Sequence, residues 1–252
     1  MPDYGIKDKV AVVTGAAGNG LGRADVIALS ACGCKTAVLD IAPCDETIKI
    51  IADKGGIAKG YTCDISKTDQ VTETVKKINQ ELGPVGILIN NASILTTVGM
   101  FGDIPVDRWN RDIEVNTIGT ANITRAVWPQ MIQQKWGRII MMSSIAGTSG
   151  GLGQTSYSTT KASVIGLGKS LALEGAHAGI TVNIIAPGVI ETGIVGFIRE
   201  DMRDRMKKAT PLRRFGRPEE IADTIAFLCS QQARYITGQV IGVDGGMGLF
   251  VF

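Results

Sequence analysis

Seven short apolar runs, separated by helix-length segments, constrain this chain more than any other feature. KVAVVT, KTAVLD, GYTCDI, VGILINN, GRIIMMSS, ITVNIIAPG and QVIGVDGG read as strands or strand ends, rich in β-branched residues. The runs are apolar on both faces instead of alternating, as expected of a parallel sheet covered by helices on each side. A βαβα order then requires right-handed crossovers. No linker, repeat or shift of composition interrupts the alternation along the 252 residues. The expected fold is therefore α/β, a single doubly wound domain over residues 1–252.

Charge and cysteine usage narrow the partners. The 26 basic and 24 acidic residues are mixed along the chain and leave a formal net charge of +2, which gives no electrostatic footprint for nucleic acid or an anionic membrane. Small molecules and further copies of the chain are the expected partners. Cys32, Cys34, Cys44, Cys63 and Cys229 are odd in number and form no CxxC pair, so neither a disulfide framework nor a metal centre is expected. A reducing, cytoplasmic compartment fits that usage. The start MPDYGIKDKV is too polar for a signal peptide, and no apolar run approaches the ~18 residues that span a bilayer.

The polar residues fall where such a sheet binds ligands. Gly15, Asp40, Asp64, Asn90, Ser144 and Pro187 follow different strand runs, and ligands of open α/β sheets lie along that carboxyl edge. A whole row of them describes a continuous groove suited to a nucleotide. Between the first run and the helical pattern GRADVIALSA lies TGAAGNGLG, whose glycines let the backbone approach a pyrophosphate at a positive helix end. Alone, such a turn serves a dinucleotide, S-adenosylmethionine or a simple chain reversal. Asp40 ends the second run twenty residues beyond Gly20, the separation at which a carboxylate reaches the adenosine ribose hydroxyls. Its other reading is an N-cap of the next helix. Its charge repels a 2′-phosphate, and Asn19, Ile41 and Ala42 offer no compensating cation, which favours NAD over NADP. Arg23, close by in sequence, is the counter-argument.

A second constellation is YSTTK, in which Tyr157 and Lys161 stand four residues apart and share one helix face. A phenol with a reference pKa of about 10 accepts protons poorly at neutral pH, and a nearby cation stabilises its anion. A Tyr tuned in this way exchanges protons with an alcohol. An exposed Lys beside a half-buried Tyr is the plainer reading of so short a pattern.

Taken together, KVAVVTGAAGNGLG, NNAS, SSIAG, YSTTK, APGVIET and TGQVIGVDGG resemble the short-chain dehydrogenase/reductase family, in its order and over nearly the whole chain. The resemblance implies an NAD(P)-dependent oxidoreductase on a Rossmann-like, mainly parallel seven-stranded sheet. It implies that Tyr157 is the general acid/base and that Lys161 lowers its pKa and holds the nicotinamide ribose. Ser144, thirteen residues before Tyr157, resembles the residue that bonds the substrate oxygen, leaving Ser143 a structural role. Asn116 in EVNTIG resembles the fourth catalytic residue, which anchors a water leading from Lys161 to solvent; a helix-bending core amide is its other reading.

For the cofactor, the resemblance implies Gly15, Asn19, Gly20, Leu21 and Gly22 at the glycine turn and Asp40 with Ile41 at the adenosine. Asp64 and Ile65 are implied at the adenine, Asn90 and Ala92 at its ribose, and Gly188, Ile190 and Thr192 beside the nicotinamide. Two departures stand out. Four residues, Ala16 to Asn19, separate Gly15 from Gly20 where the family has three, and NNAG has become NNAS with Ser93. The added residue is expected to bulge near the adenosine ribose and leave the pyrophosphate site intact.

The expected substrate lid runs over 193–217. Ile194, Ile198, Met202 and Met206 recur every four residues as an apolar stripe, with Arg199, Asp201, Arg203 and Asp204 facing water. The stripe either closes over substrate or packs on the core or a subunit partner. Leu95, Leu152, Gln154 and Val195 are the expected pocket residues, which suit a mainly apolar substrate with one or two polar handles. The single histidine, His177, reads as a surface residue. The ending Leu249, Phe250, Val251 and Phe252 calls for burial against another subunit, and the resemblance suggests a homotetramer. The leading expectation is hydride transfer between NAD(H) and a secondary alcohol or ketone. A 3-oxoacyl (carrier-protein) reductase using NADPH is the main rival. A methyltransferase or a nucleotide-binding regulator leaves YSTTK and SSIAG without a role.

Overall fold

The computed structural model describes residues 3–249, apart from the side chains of Ile194 and Phe197; Phe250, Val251 and Phe252 of the apolar ending lie outside the described residues. Strands β1 (Val10–Thr14), β2 (Lys35–Asp40), β3 (Ile57–Thr62), β4 (Val85–Asn90), β5 (Gly137–Met142), β6 (Ile180–Pro187) and β7 (Val240–Val243) form one sheet. Their order is β3-β2-β1-β4-β5-β6-β7, and every pairing is parallel. The chain builds outward from β1 to β3 and then returns to β4 on the other side of β1. That reversal opens a crevice at the carboxyl ends of β1 and β4, where doubly wound sheets bind ligands.

Strand alternation explains the two-sided apolar runs. Val10 and Val12 face one core with Val71 and Ile78 of α3 (Thr68–Glu81), Ile123 and Val127 of α5 (Thr120–Gln134) and Val164 of α7 (Thr155–Gly175). Ala11 and Val13 face the other core with Val26 and Leu29 of α1 (Leu21–Ala31), Ile51 of α2 (Asp45–Ala52) and Ile221 and Ile225 of α9 (Pro218–Cys229). The third strand departs from expectation: it is IAKGYT, and Cys63, Asp64 and Ile65 lie beyond its end. As an edge strand it is largely exposed along Ile57–Gly60, so it lacks the two-sided apolar signal of its neighbours.

The segment over 193–217 also departs from expectation. A 3-10 turn covers Gly193–Phe197 and the helix α8 only Glu200–Ala209, so no single helical stripe runs from Ile194 to Met206. α8 buries none of its residues; Met202 is exposed and Met206 half-buried. Arg203, expected to face water, is half-buried with Nε lacking a hydrogen-bond partner. His177 is exposed, and no helix among the described residues is long and apolar enough to cross a membrane.

One residue conflicts with its surroundings. Asp25 on α1 is fully buried, neither carboxylate oxygen has a hydrogen-bond partner, and desolvation raises its pKa well above the usual carboxylate value. A raised folded-state value means the fold binds the proton more tightly than the unfolded chain does. Stability is therefore fully present below the unfolded value and is lost as pH rises through the folded one. Asp25→Asn is expected to be more stable than the parent at pH 8, with the gap closing towards pH 4. Urea midpoints at the two pH values measure it, and equal midpoints at pH 8 contradict it.

Candidate active site

The glycine turn is braced from β4. Gly15 has φ +67°, and a Cβ there would lie 2.8 Å from the Ala92 Cα. A Cβ on Gly22 would overlap the Gly15 carbonyl oxygen, so both positions exclude larger residues. Thr14 Oγ1 accepts from the backbone N–H groups of Asn91 (3.1 Å) and Ala92 (3.0 Å). Asn91 Nδ2 donates to the carbonyls of Thr14 (2.8 Å) and Gly15 (3.0 Å). Thr14 and Asn91 were not among the expected site residues; the doubled Asn of NNAS was the available signal.

The lengthened turn is open at its tip. Gly18 and Asn19 are exposed, and Gly20 N–H donates to the Gly18 carbonyl at 2.9 Å. Helix α1 then starts with no side-chain cap and no acid in its first turn, leaving its amide donors for an anion. Open space around Gly18 and Gly20 completes a cradle that fits a pyrophosphate.

At the end of β2, Asp40 does not cap α2, whose N-cap is Cys44. Its carboxylate accepts from Ala17 N–H (2.9 Å) and Ala42 N–H (3.1 Å), which orient it beside the turn. Ile41 next to it is 68% exposed, an apolar surface available to a planar base. Arg23 is engaged elsewhere. Its guanidinium donates to both Glu46 oxygens (2.8 and 2.9 Å), to Thr47 (2.9 Å) and to the Ala17 carbonyl (2.6 Å). Bonding and attraction from Arg23 hold the Glu46 acid below its usual value.

Several expected cofactor residues turn out to support the groove from behind. The Asn90 side chain is buried and its Nδ2 donates to Thr124 Oγ1 (3.0 Å) and Met141 Sδ (3.3 Å), while its buried Oδ1 has no hydrogen-bond partner. Ile65 likewise points into the core, where a Cβ on Gly119 would meet it at 2.7 Å. Asp64 accepts from Ser66 N–H (2.9 Å) and Oγ (2.7 Å) and from Arg111 (3.2 Å). Burial alone would raise its pKa, and these bonds outweigh burial and lower it. Gly188 backs onto Asp244, whose Cα a Cβ would meet at 2.8 Å. Ile190 is buried and bridges to Gly216, while half-buried Thr192 accepts from Val195 N–H at 3.0 Å.

The expected catalytic residues lie at the end of β5, in the turn Glu114–Gly119 and at the start of α7. Ser144 caps α6 (Ile145–Ser149), its Oγ accepting from Ala146 N–H at 3.1 Å, and it draws down the pKa of the Tyr157 phenol, as does Ser93. Ser143 instead donates to the Lys161 carbonyl at 2.7 Å, the structural role expected of it. Lys161 Nζ lies 5.4 Å from the Tyr157 ring centroid and donates to the Met142 carbonyl at 2.7 Å. Asn116 falls in a π-helical turn, Glu114–Gly119, after α4 (Val106–Ile113). There its amide exchanges two bonds with the Ile94 backbone (2.8 and 2.7 Å) and donates to Thr160 Oγ1 (3.2 Å).

Desolvation raises the phenol pKa, and Ser144 and Ser93 work against that rise. Burial also depresses Lys161 itself, to about 8. Before ligands bind, the two groups share one buried environment that disfavours both charges.

Of the expected pocket residues, Leu152 is 89% exposed, Leu95 is exposed, Gln154 half-buried and Val195 buried. Val98 and Phe101 add exposed apolar surface, and Gly99 N–H donates to the Gly153 carbonyl at 2.9 Å, joining the loops after β4 and β5.

Comparison with known proteins decides the family. Residues 15–248 match the family model described as enoyl-(acyl carrier protein) reductase. The chain belongs to the short-chain dehydrogenase/reductase family. Within it, the chain is 42% identical over 239 residues to acetoacetyl-CoA reductase of Shinella zoogloeoides, covering 94% of this chain and 98% of that protein. It is 38% identical over 244 residues to the 3-oxoacyl-[acyl-carrier-protein] reductase FabG of Thermotoga maritima, covering 96% and 98%. An NAD+-bound xylitol dehydrogenase structure superimposes with a TM-score of 0.88 at 30% identity, over 96% of this chain and 99% of that one. The curated relatives thus favour a 3-oxoacyl thioester reductase over the alcohol dehydrogenase expected first.

Proposed function

We propose that the protein is an NAD(H)-linked reductase that converts a 3-oxoacyl thioester to the 3-hydroxyacyl thioester, with Tyr157 as proton donor. The observation that carries this is Lys161 Nζ 5.4 Å from the Tyr157 ring, with Ser144 close enough to draw down the phenol pKa. A carbonyl oxygen received by both hydroxyls is oriented and stabilised as negative charge develops on it. A dinucleotide held at the glycine turn and Asp40 would supply the hydride. Tyr157 gives its proton to the new alkoxide, and Lys161 stabilises the phenolate left behind.

Substrate class follows the named reductases among the relatives, and the exposed apolar loops after β4 and β5 suit an acyl chain. The segment over 193–217 would cover that chain, and a homotetramer is proposed from family membership. NADH is favoured over NADPH because the Asp40 carboxylate is oriented beside the glycine turn while Arg23 is held by Glu46. A second reading, oxidation of a small secondary alcohol, is favoured by the same Asp40 and by the xylitol dehydrogenase likeness.

Nicotinamide absorbance with NADH and NADPH, across 3-oxoacyl thioesters and secondary alcohols, separates these readings. The expected result is NADH-dependent reduction of the thioesters; preference for NADPH contradicts the cofactor assignment. Asp40→Ser is expected to weaken NADH binding roughly tenfold to hundredfold, the range of a lost bond to a charged group, while improving NADPH binding. Fluorescence titration of both cofactors measures it.

A further inference from the structure

We propose that Asp112 is a positioning residue that ties the start of α7, with Tyr157 on it, to the loop after β4. The inference rests on the reading of Tyr157 as the proton donor and of that loop as a wall of the substrate site.

Asp112 is the one buried residue of α4 among the described residues, and it is an acid. It is 0% exposed, and burying a carboxylate is costly unless hydrogen bonds replace its water. Both oxygens are bonded, each to a different segment. Oδ1 accepts from Thr96 N–H at 3.1 Å, in the loop after β4. Oδ2 accepts from Ser156 Oγ at 2.6 Å, the length of a charge-assisted O–H···O bond. Ser156 is itself fully buried and immediately precedes Tyr157.

Among the described residues, the start of α7 has few other holds. Its N-cap, Gln154, makes no side-chain capping bond, and its first turn carries no acid. The Thr155 and Ser158 hydroxyls are buried without a hydrogen-bond partner. Asp112 therefore supplies from α4 the carboxylate that a helix start favours and that α7 lacks in its own sequence.

Asn116, four residues on, repeats the pattern. Its amide exchanges two bonds with the Ile94 backbone and donates to Thr160 Oγ1 at 3.2 Å. Thr160 in turn donates to the Tyr157 carbonyl at 2.8 Å. Each of the two side chains thus grips one residue of the loop and one of α7. Leu95 stands between the gripped loop residues, Ile94 and Thr96, and Tyr157 between the gripped helix residues, Ser156 and Thr160. Thr96 Oγ1 also donates to the Arg108 carbonyl at 3.2 Å, fastening the loop to α4 a second time. The Asp112 link sets the apolar wall at Leu95 against the proton donor.

The test is a double-mutant cycle on the full chain with Ser156→Ala, Asp112→Ala and their combination. Asp112→Asn is the conservative control, since its amide keeps an acceptor for Thr96 N–H and a donor for Ser156 Oγ. Both alanine variants are expected to lower kcat for NADH-dependent reduction of a 3-oxoacyl thioester by about tenfold to a hundredfold, the scale of a small misplacement of reacting groups, with KM for NADH unchanged. The combination should lose little more than Asp112→Ala alone, because both changes remove one bond. Asp112→Asn should recover most of kcat. Parental kcat in Ser156→Ala, additive losses, or no recovery in Asp112→Asn overturns the proposal. Hydrogen exchange of the ligand-free proteins is expected to quicken over 94–98 and 154–158 in both alanine variants. Unchanged exchange there overturns the tie whatever the activity. Exchange needs no substrate, so quickened exchange at both segments in a chain that turns over no carbonyl upholds the tie and refutes only the reading of function.

Discussion

Tyr157→Phe is expected to lower turnover by about a thousandfold or more while NAD(H) binds with nearly parental affinity, since a positioned general acid contributes on this scale. The phenol hydroxyl is the atom lost, and its ring, flanked by Lys161 and the Ser144 cap, keeps its packing. The residues that shape the dinucleotide groove, Gly15, Gly22, Asp40 and Ile41, lie on other elements and are untouched by the change. Stopped-flow hydride transfer alongside cofactor titration separates the two effects. Turnover close to the parent's would mean that another group moves the proton.

Ser144→Ala is expected to reduce kcat by about a hundredfold or more, the typical consequence of deleting one oriented donor to a developing oxyanion. The substitution also removes the acceptor for Ala146 N–H, a helix cap whose loss typically costs about 1 kcal/mol. A melting measurement alongside the kinetics therefore belongs with it: a small loss of stability with a large loss of kcat supports the oxyanion role. A kcat that falls only as far as folding does would assign Ser144 to the cap alone.

How much of this was legible in the sequence depends on the range of each interaction. The Tyr157–Lys161 relation is local, fixed by helical spacing, and appeared as expected. Asp40 was legible because a strand-turn-helix-strand unit sets the distance from the glycine turn to the end of β2. The fate of Arg23 was not, since Glu46 lies on a different helix and only folding brings the pair to 2.8 Å. Asn90 and Ile65 were placed at the adenosine by resemblance to the family. Side-chain direction at those positions is set by α5 and the π turn across the core, which no local pattern reports. β3 was displaced because an edge strand pairs on one side only and needs no two-sided apolar run. The stripe at 194–206 kept a period of four, yet a 3-10 turn interrupts it, and periodicity alone does not reveal such a break.

Lys161 ties the chemistry together and gives its most direct test. Its ammonium shares the buried environment of the phenol, so the account requires that deleting its charge changes how Tyr157 gives and takes the proton. The decisive measurement is the pH dependence of single-turnover hydride transfer in both directions, for the parent and for Lys161→Met. The account predicts that oxidation rises and reduction falls with pH through one shared ionisation, displaced upward in Lys161→Met. Rates independent of pH, or the same ionisation in both proteins, would contradict it.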